Sequence, residues 1–109
     1  MEAALKAIAE PHRLEILKLI WSQELSAGDI ARQFTITRPA VSQHLRVLED
    51  ADLVQVRREG TRRLYLARPD KLDELRRYLD AFWASGLERL AAAAEAEERR
   101  LTQHGDIQR

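Results

Sequence analysis

Thr37-Arg38-Pro39-Ala40-Val41-Ser42-Gln43-His44-Leu45-Arg46-Val47-Leu48 is the stretch on which the fold turns. A threonine before a helical run makes a good cap, because its hydroxyl accepts a hydrogen bond from a backbone N–H that the helix leaves unpaired. Pro39 follows in the first turn, where a missing N–H matters little. Val41, Leu45 and Leu48 then recur at helical spacing, on a helix expected to fade near Ala51. This apolar stripe faces inward and leaves Arg38, Ser42, Gln43 and Arg46 pointing out.

Upstream, Ala4, Leu5 and Ile8 form a short helical stripe in Ala3–Ala9, and Pro11 opens a second helix carrying Leu14, Ile16, Leu17, Ile20 and Trp21. Ser26 followed by Asp29 resembles a capping box, which starts a third helix from about Ala27 to Phe34 that buries Ile30, Ala31 and Phe34. Only Thr35-Ile36-Thr37 then separates the third helix from the fourth. Downstream, Leu53–Val56 alternates like a strand, and Leu64-Tyr65-Leu66 reads as its return. The tip between them holds Arg57, Arg58, Gly60, Arg62 and Arg63. Alternation is expected to put Arg62 and Arg63 on opposite faces.

Pro69 ends the hairpin, and Asp70 is expected to cap a last helix of roughly 30 residues, about 45 Å long. Its stripe runs through Leu72, Leu75, Leu79, Phe82, Trp83, Leu87 and Leu90, too long for the chain to cover by itself. A second copy is the expected cover, giving a two-fold dimer. The seam on this helix is assigned to Leu75, Leu79, Phe82, Trp83, Gly86, Leu87 and Leu90. The expected architecture is mainly α with a small β-hairpin, a winged helix-turn-helix dimerising through its last helix. Residues 1–101 form one domain, and 102–109 are expected to be a frayed tail.

Composition narrows the function. The chain has 109 residues, 33% charged and 45% hydrophobic, which is one domain and not a disordered acidic tail. Uncharged runs such as Ala81–Leu87 fall far short of the roughly 18–20 apolar residues of a membrane span. Met1–Glu10 lacks the pattern of a secretory signal, so a cytoplasmic protein without membrane partners is expected. With no cysteine, disulfides, zinc fingers and thiol catalysis are excluded. There is no glycine-rich phosphate loop and no nucleophile beside a base, so no enzyme and no cofactor are expected. Net charge is zero, but residues 37–69 carry 7 basic and 4 acidic groups, so an anionic partner is expected there.

A helix with outward polar residues beside an arginine-tipped hairpin suits double-stranded DNA. The major groove, about 12 Å wide, admits one helix, and the hairpin tip reaches the neighbouring backbone or minor groove. Arg38 can fork onto guanine and Gln43 onto adenine. Thr37 and Ser42 suit phosphate, as do the wing arginines Arg57, Arg58, Arg62 and Arg63, although arginine-rich hairpins are usually only solvated. Pro39, Ala40, His44 and Gly60 complete the candidate interface. The rival reading is a winged module that binds protein instead of DNA. Such a module is expected to carry apolar anchors on the outer face of the fourth helix, and that face shows Arg38, Ser42, Gln43 and Arg46.

Several residues admit two readings. His12 and Glu15 stand three apart on one helix, but two ligands are too few for a metal site, and the pair more often marks a helix start. His44 is either a DNA contact or a partly buried polar residue. Phe82 and Trp83 line a small-molecule pocket or, as is commoner for aromatics at helical spacing, a core or interface. Trp21 reads as core or interface, and Gly86 either permits close helix approach or is merely tolerated. His104 falls in the expected tail and is given no role.

The runs Pro11-His12-Arg13-Leu14-Glu15-Ile16-Leu17, Glu24-Leu25-Ser26-Ala27-Gly28-Asp29-Ile30-Ala31 and Arg38–Leu48, with Ala51-Asp52-Leu53-Val54 entering the wing, resemble the ArsR-type winged helix-turn-helix repressors. The resemblance covers about residues 3–101. It implies a homodimer joined through its N- and C-terminal helices, which adds Leu5 and Ile8 of the first helix to the expected seam. It also implies a seat on an operator near its own gene and release by an effector, which the sequence does not identify. The Cys-x-Cys metal site of many members is absent, since Ser26 and Gly28 stand in that stretch. The Asp and His site on the last helix is absent too, because residues 70–101 hold no histidine. The glycine common in helix-turn-helix turns is Thr35 here.

Overall fold

The computed structural model describes residues 1–108, with side chains through Thr102. Its elements are α1 (Glu2–Ile8), α2 (Pro11–Leu19), α3 (Ala27–Ala31), α4 (Arg38–Asp50), β1 (Val54–Glu59), β2 (Arg62–Ala67) and α5 (Pro69–Gln108). They fall into two compact units, Met1–Leu75 and Arg76–Arg109.

The first unit is built around Ile16, Ile20, Ile30, Val41, Leu45, Leu48 and Leu53, all fully buried. Val41, Leu45 and Leu48 are the inward stripe of α4. Each end of this helix is closed by local chemistry. At the start, the Thr37 hydroxyl accepts from the Ala40 N–H at 3.3 Å. At the end, Asp52 takes a left-handed conformation (φ 64°), the Leu53 N–H donates to the Leu48 carbonyl, and the Asp52 N–H donates to that of Glu49. Both bonds are those of a Schellman motif, with aspartate where glycine is usual.

The capping box of α3 is present in both directions: the Ser26 hydroxyl accepts from the Asp29 N–H at 3.1 Å, and the Ser26 N–H donates to Asp29 at 3.3 Å. Ser26→Ala is expected to cost about 1 kcal/mol of stability, read as a lowered urea midpoint with an unchanged slope. Hydrogen bonding to the Ser26 hydroxyl and then to its N–H holds the Asp29 carboxyl below its ordinary range, aided by Arg32 and opposed by burial. A depressed carboxylate stabilises the fold above its unfolded value. That contribution is lost as pH falls through the lowered one.

Several expectations need correction. Helix α3 ends at Ala31, not near Phe34, so residues 32–37 join it to α4 in place of a three-residue turn. Of Ile30, Ala31 and Phe34, only Ile30 is buried. The strands run further into the charged tip than expected, because Arg57, Arg58 and Glu59 pair with Leu64, Arg63 and Arg62. Gly60 and Thr61 alone make the turn, and the positive φ of Gly60 (63°) suits its first position. Trp21 is 58% exposed and so is no part of the core. Leu75, expected at the dimer seam, is 4% exposed and is used by the core of the first unit.

Pro69, not Asp70, opens α5; the Leu72 N–H donates to the Arg68 carbonyl, and Asp70 lies in the first turn. At 40 residues the helix exceeds the expected length. Alanine, glutamate and arginine in 91–100 favour helix without an apolar stripe. The tail expected at 102–109 falls mostly beyond the described side chains, as does His104. In the second unit Phe82, Trp83, Leu87 and Leu90 are between 57% and 66% exposed. Phe82 and Trp83 meet edge to face, with centroids 6.3 Å apart. Among the described residues no helix is long and apolar enough to cross a membrane.

Candidate nucleic-acid interface

Helix α4 presents Arg38, Ser42 and Arg46 at four-residue intervals on its outer side, all exposed. With the first turn of α3 and the hairpin they line an open groove of about 1070 Å³, which also takes in Arg32, Thr61, Arg62, Arg63 and Tyr65. Glu49 and Asp50 close one end of it. The outer side of α4 is therefore basic at its N-terminal end and acidic at its C-terminal end. The Arg38 guanidinium carbon lies 3.7 Å from where a Cβ on Gly28 would stand, so it rests against α3. Pro39 and Gln43 are exposed outside this lining, and Ala40 is half-buried.

The hairpin is tied to the helices at several points. Leu25 and Tyr65 exchange backbone hydrogen bonds of 3.1 and 2.8 Å, adding an isolated bridge to the edge of β2. Arg62 donates to Asp29 at 2.8 Å, where Arg32 also pairs. Arg63 reaches Glu49 at 3.7 Å and lies over the Tyr65 ring, 5.8 Å from its centroid. Arg62 and Arg63 thus line one groove instead of facing apart. Their Cβ atoms alternate, but both long side chains reach the lining of the same groove, Arg62 toward Asp29 and Arg63 toward Glu49.

Arg57 is engaged elsewhere. It donates to Glu24 at 2.9 Å and to Glu59 at 3.1 Å, and Glu24 first and then Glu59 raise its already high pKa. Among the described residues Arg38, Arg46 and Arg58 have no carboxylate partner. The candidate arginines therefore divide into a tethered set and a free set, a division the sequence does not reveal because the acids lie up to 33 residues away. Sequence reading also missed Arg32 and Thr61 in the groove.

His44 departs from its expected place among the DNA-contacting residues. Its ring stacks on His12, with centroids 5.6 Å apart and planes at 23°, and its Nδ1 lies 3.8 Å from Glu10. Leu45 and Leu48 are turned into the core on the same side of α4, so the ring is drawn toward α2 and away from the outer face. The alternative reading, a partly buried polar residue, is the one the geometry matches.

The family model for "Bacterial regulatory protein, arsR family" matches residues 10–56, which hold α2, α3, α4 and the start of the hairpin. The HTH-type transcriptional regulator Rv2034 of Mycobacterium tuberculosis is 41% identical over 96 residues, 88% of this chain and 90% of that protein. The chain belongs to the ArsR family. Among other relatives of this ArsR-family regulator, the arsenical resistance operon repressor of Staphylococcus xylosus is 35% identical over 80 residues, 73% of this chain and 77% of that protein. The solution structure of the homodimeric winged helix-turn-helix DNA-binding domain Mb0332 from Mycobacterium bovis superposes with a TM-score of 0.63 at 29% identity. That match covers 76% of this chain and 77% of the other. The ArsR-family regulator is thus a winged helix-turn-helix transcriptional regulator, mainly α with one antiparallel hairpin.

Proposed function

We propose that this protein acts as a homodimeric repressor that occupies a two-fold DNA operator and blocks polymerase there. The observation that carries the reading is a set of arginines without a carboxylate partner among the described residues: Arg38 and Arg46 of α4, which line the groove, and Arg58, which pairs across the hairpin with the groove-lining Arg63. Arg38 and Gln43 read base edges, Ser42 and Thr37 hold phosphate near the positive end of α4, and Pro39 and Ala40 let that end approach closely. Glu49 and Asp50 repel phosphate, so the N-terminal half of the helix enters the groove. Gly60 brings the hairpin tip to the backbone, where Arg58 neutralises charge and Arg62 and Arg63 follow once they leave Asp29 and Glu49.

The exposed Phe82, Trp83, Leu87 and Leu90 of α5 and the half-buried Leu79 meet their counterparts in a second copy together with Leu5 and Ile8 of α1. Gly86 permits close helix approach there. Two such chains place their α4 helices about 34 Å apart, one turn of DNA. The protein is a cytoplasmic regulator with no catalytic role.

Selection of bound genomic fragments by the purified protein at about 0.15 M salt tests the reading, with one inverted repeat expected to be enriched. Recovery of random fragments alone would remove it. The arginine division makes a second prediction. Arg58→Ala should weaken binding to all sequences alike and flatten the dependence of log K on log salt by about 0.9 per protomer. Arg57→Ala, whose guanidinium is held by Glu24, should leave that slope nearly unchanged. Equal slopes in the two variants would overturn the division.

A further inference from the structure

The first turn of α2 and the middle of α4 bring Glu10, His12 and His44 together, with one possible ligand atom from each lying within 4.8 Å of the others. We infer that these three side chains form a binding site for a divalent transition-metal ion of the zinc class. The site uses neither the outward arginines of α4 nor the wing, so it stands or falls apart from the DNA reading.

The donors converge. His12 Nδ1 lies 3.0 Å from Glu10 Oε1, and His44 Nδ1 lies 3.8 Å from Glu10 Oε2, so both rings turn the same nitrogen to one carboxylate. Zinc binds imidazole nitrogen and carboxylate oxygen at about 2.0–2.2 Å, and three protein ligands with an open fourth position are a recurrent arrangement. Donors around a tetrahedral ion at such distances lie about 3.3–3.4 Å apart, close to the 3.0 and 3.8 Å that separate the two ring nitrogens from the carboxylate. Imidazole and carboxylate together favour zinc, nickel or cobalt over magnesium, which prefers an all-oxygen octahedron.

The surroundings fit. His12 is 46% exposed, Glu10 30% and His44 20%, so an ion has a way in and a position left for water. The Arg13 N–H donates to Glu10 Oε2 at 2.9 Å and so fixes the carboxylate in place. The Arg13 guanidinium is engaged elsewhere, since it donates to the Ala7 carbonyl at 2.6 Å and the Lys6 carbonyl at 3.2 Å. The positive end of α2 works against a cation, and the Glu10 carboxylate at its cap offsets it. Glu15, the carboxylate nearest His12 by helical spacing, is not part of the cluster; it pairs with Lys18 at 3.0 Å.

The test is calorimetric titration of Zn²⁺ and of Mg²⁺ into untagged full-length protein, with proton spectra of the histidine rings recorded on adding Co²⁺. One Zn²⁺ per chain with a micromolar or lower Kd is expected, with no heat from Mg²⁺. His12→Gln, at an exposed position, should weaken Zn²⁺ at least tenfold. So should Glu10→Gln, which keeps an acceptor for the Arg13 N–H and so guards against loss through unfolding. Co²⁺ should shift the rings of His12 and His44 and leave that of His104, the third histidine of the chain, unaffected. No Zn²⁺ binding, binding unchanged in both variants, or a Co²⁺ effect confined to His104 would each overturn the site.

Discussion

Phe82→Glu is expected to leave the protein monomeric and to weaken operator binding by about 10²–10⁴-fold. Phe82, Trp83, Leu87 and Leu90 each expose more than half of their surface in a single chain. Covering one such side chain is worth roughly 1.5–3 kcal/mol, and a two-fold seam counts each residue twice. A glutamate set into that seam would be desolvated without a partner, once in each chain. The loss on DNA follows from linkage: joined half-sites bind with an effective concentration that separate chains do not have. Light scattering gives the mass and a gel shift gives the affinity. An unchanged mass would remove the assignment of α5 to the seam.

The second large effect belongs to Arg38→Ala/Gln43→Ala. Each bidentate base contact is worth about 1–3 kcal/mol of discrimination, so the double variant should lose about 2–6 kcal/mol on the operator. Random DNA should be bound nearly as before, because Arg46 and Arg58 remain. The quantity to measure is the ratio of operator to random affinity at fixed salt. A parallel fall in both would make Arg38 and Gln43 positioning contacts and place the reading of sequence elsewhere.

What could be read without coordinates was what chemistry writes locally. Thr37, Pro39 and the spacing of Val41, Leu45 and Leu48 specify α4 through caps and periodicity that lie within 12 residues, and Ser26 with Asp29 does the same for α3. The outward residues follow by subtraction from the inward stripe. The strands were underread because Arg57, Arg58, Glu59, Arg62 and Arg63 place charge on both faces, which erases alternation although the ladder continues. Helix α5 was read too short because its far part has helix-forming residues and no apolar stripe.

The partners of the site were not legible at all. Nothing within a few residues of Arg57 or Arg62 announces Glu24 or Asp29, each 33 positions away. His12 has a carboxylate at helical spacing in Glu15, yet the fold gives it Glu10 and His44. Tertiary neighbours also put His44 against His12, leave Trp21 exposed and bury Leu75 in the first unit.

The ion pairs from the wing to Asp29, Glu24 and Glu49 bear on the search for a target. A basic hairpin with its charges uncovered would grip any duplex and leave slowly. Here Arg62 and Arg63 already have carboxylates, so a random phosphate gains only the difference between two similar contacts. On the proposed DNA reading, residence on wrong sequence would thereby be shortened, while the Leu25–Tyr65 bridge keeps the hairpin standing between visits. A site that also satisfied Arg38 and Gln43 would hold the protein long enough for those pairs to exchange. The acids that dilute the wing's charge would thus let a nearly neutral protein scan quickly and still settle.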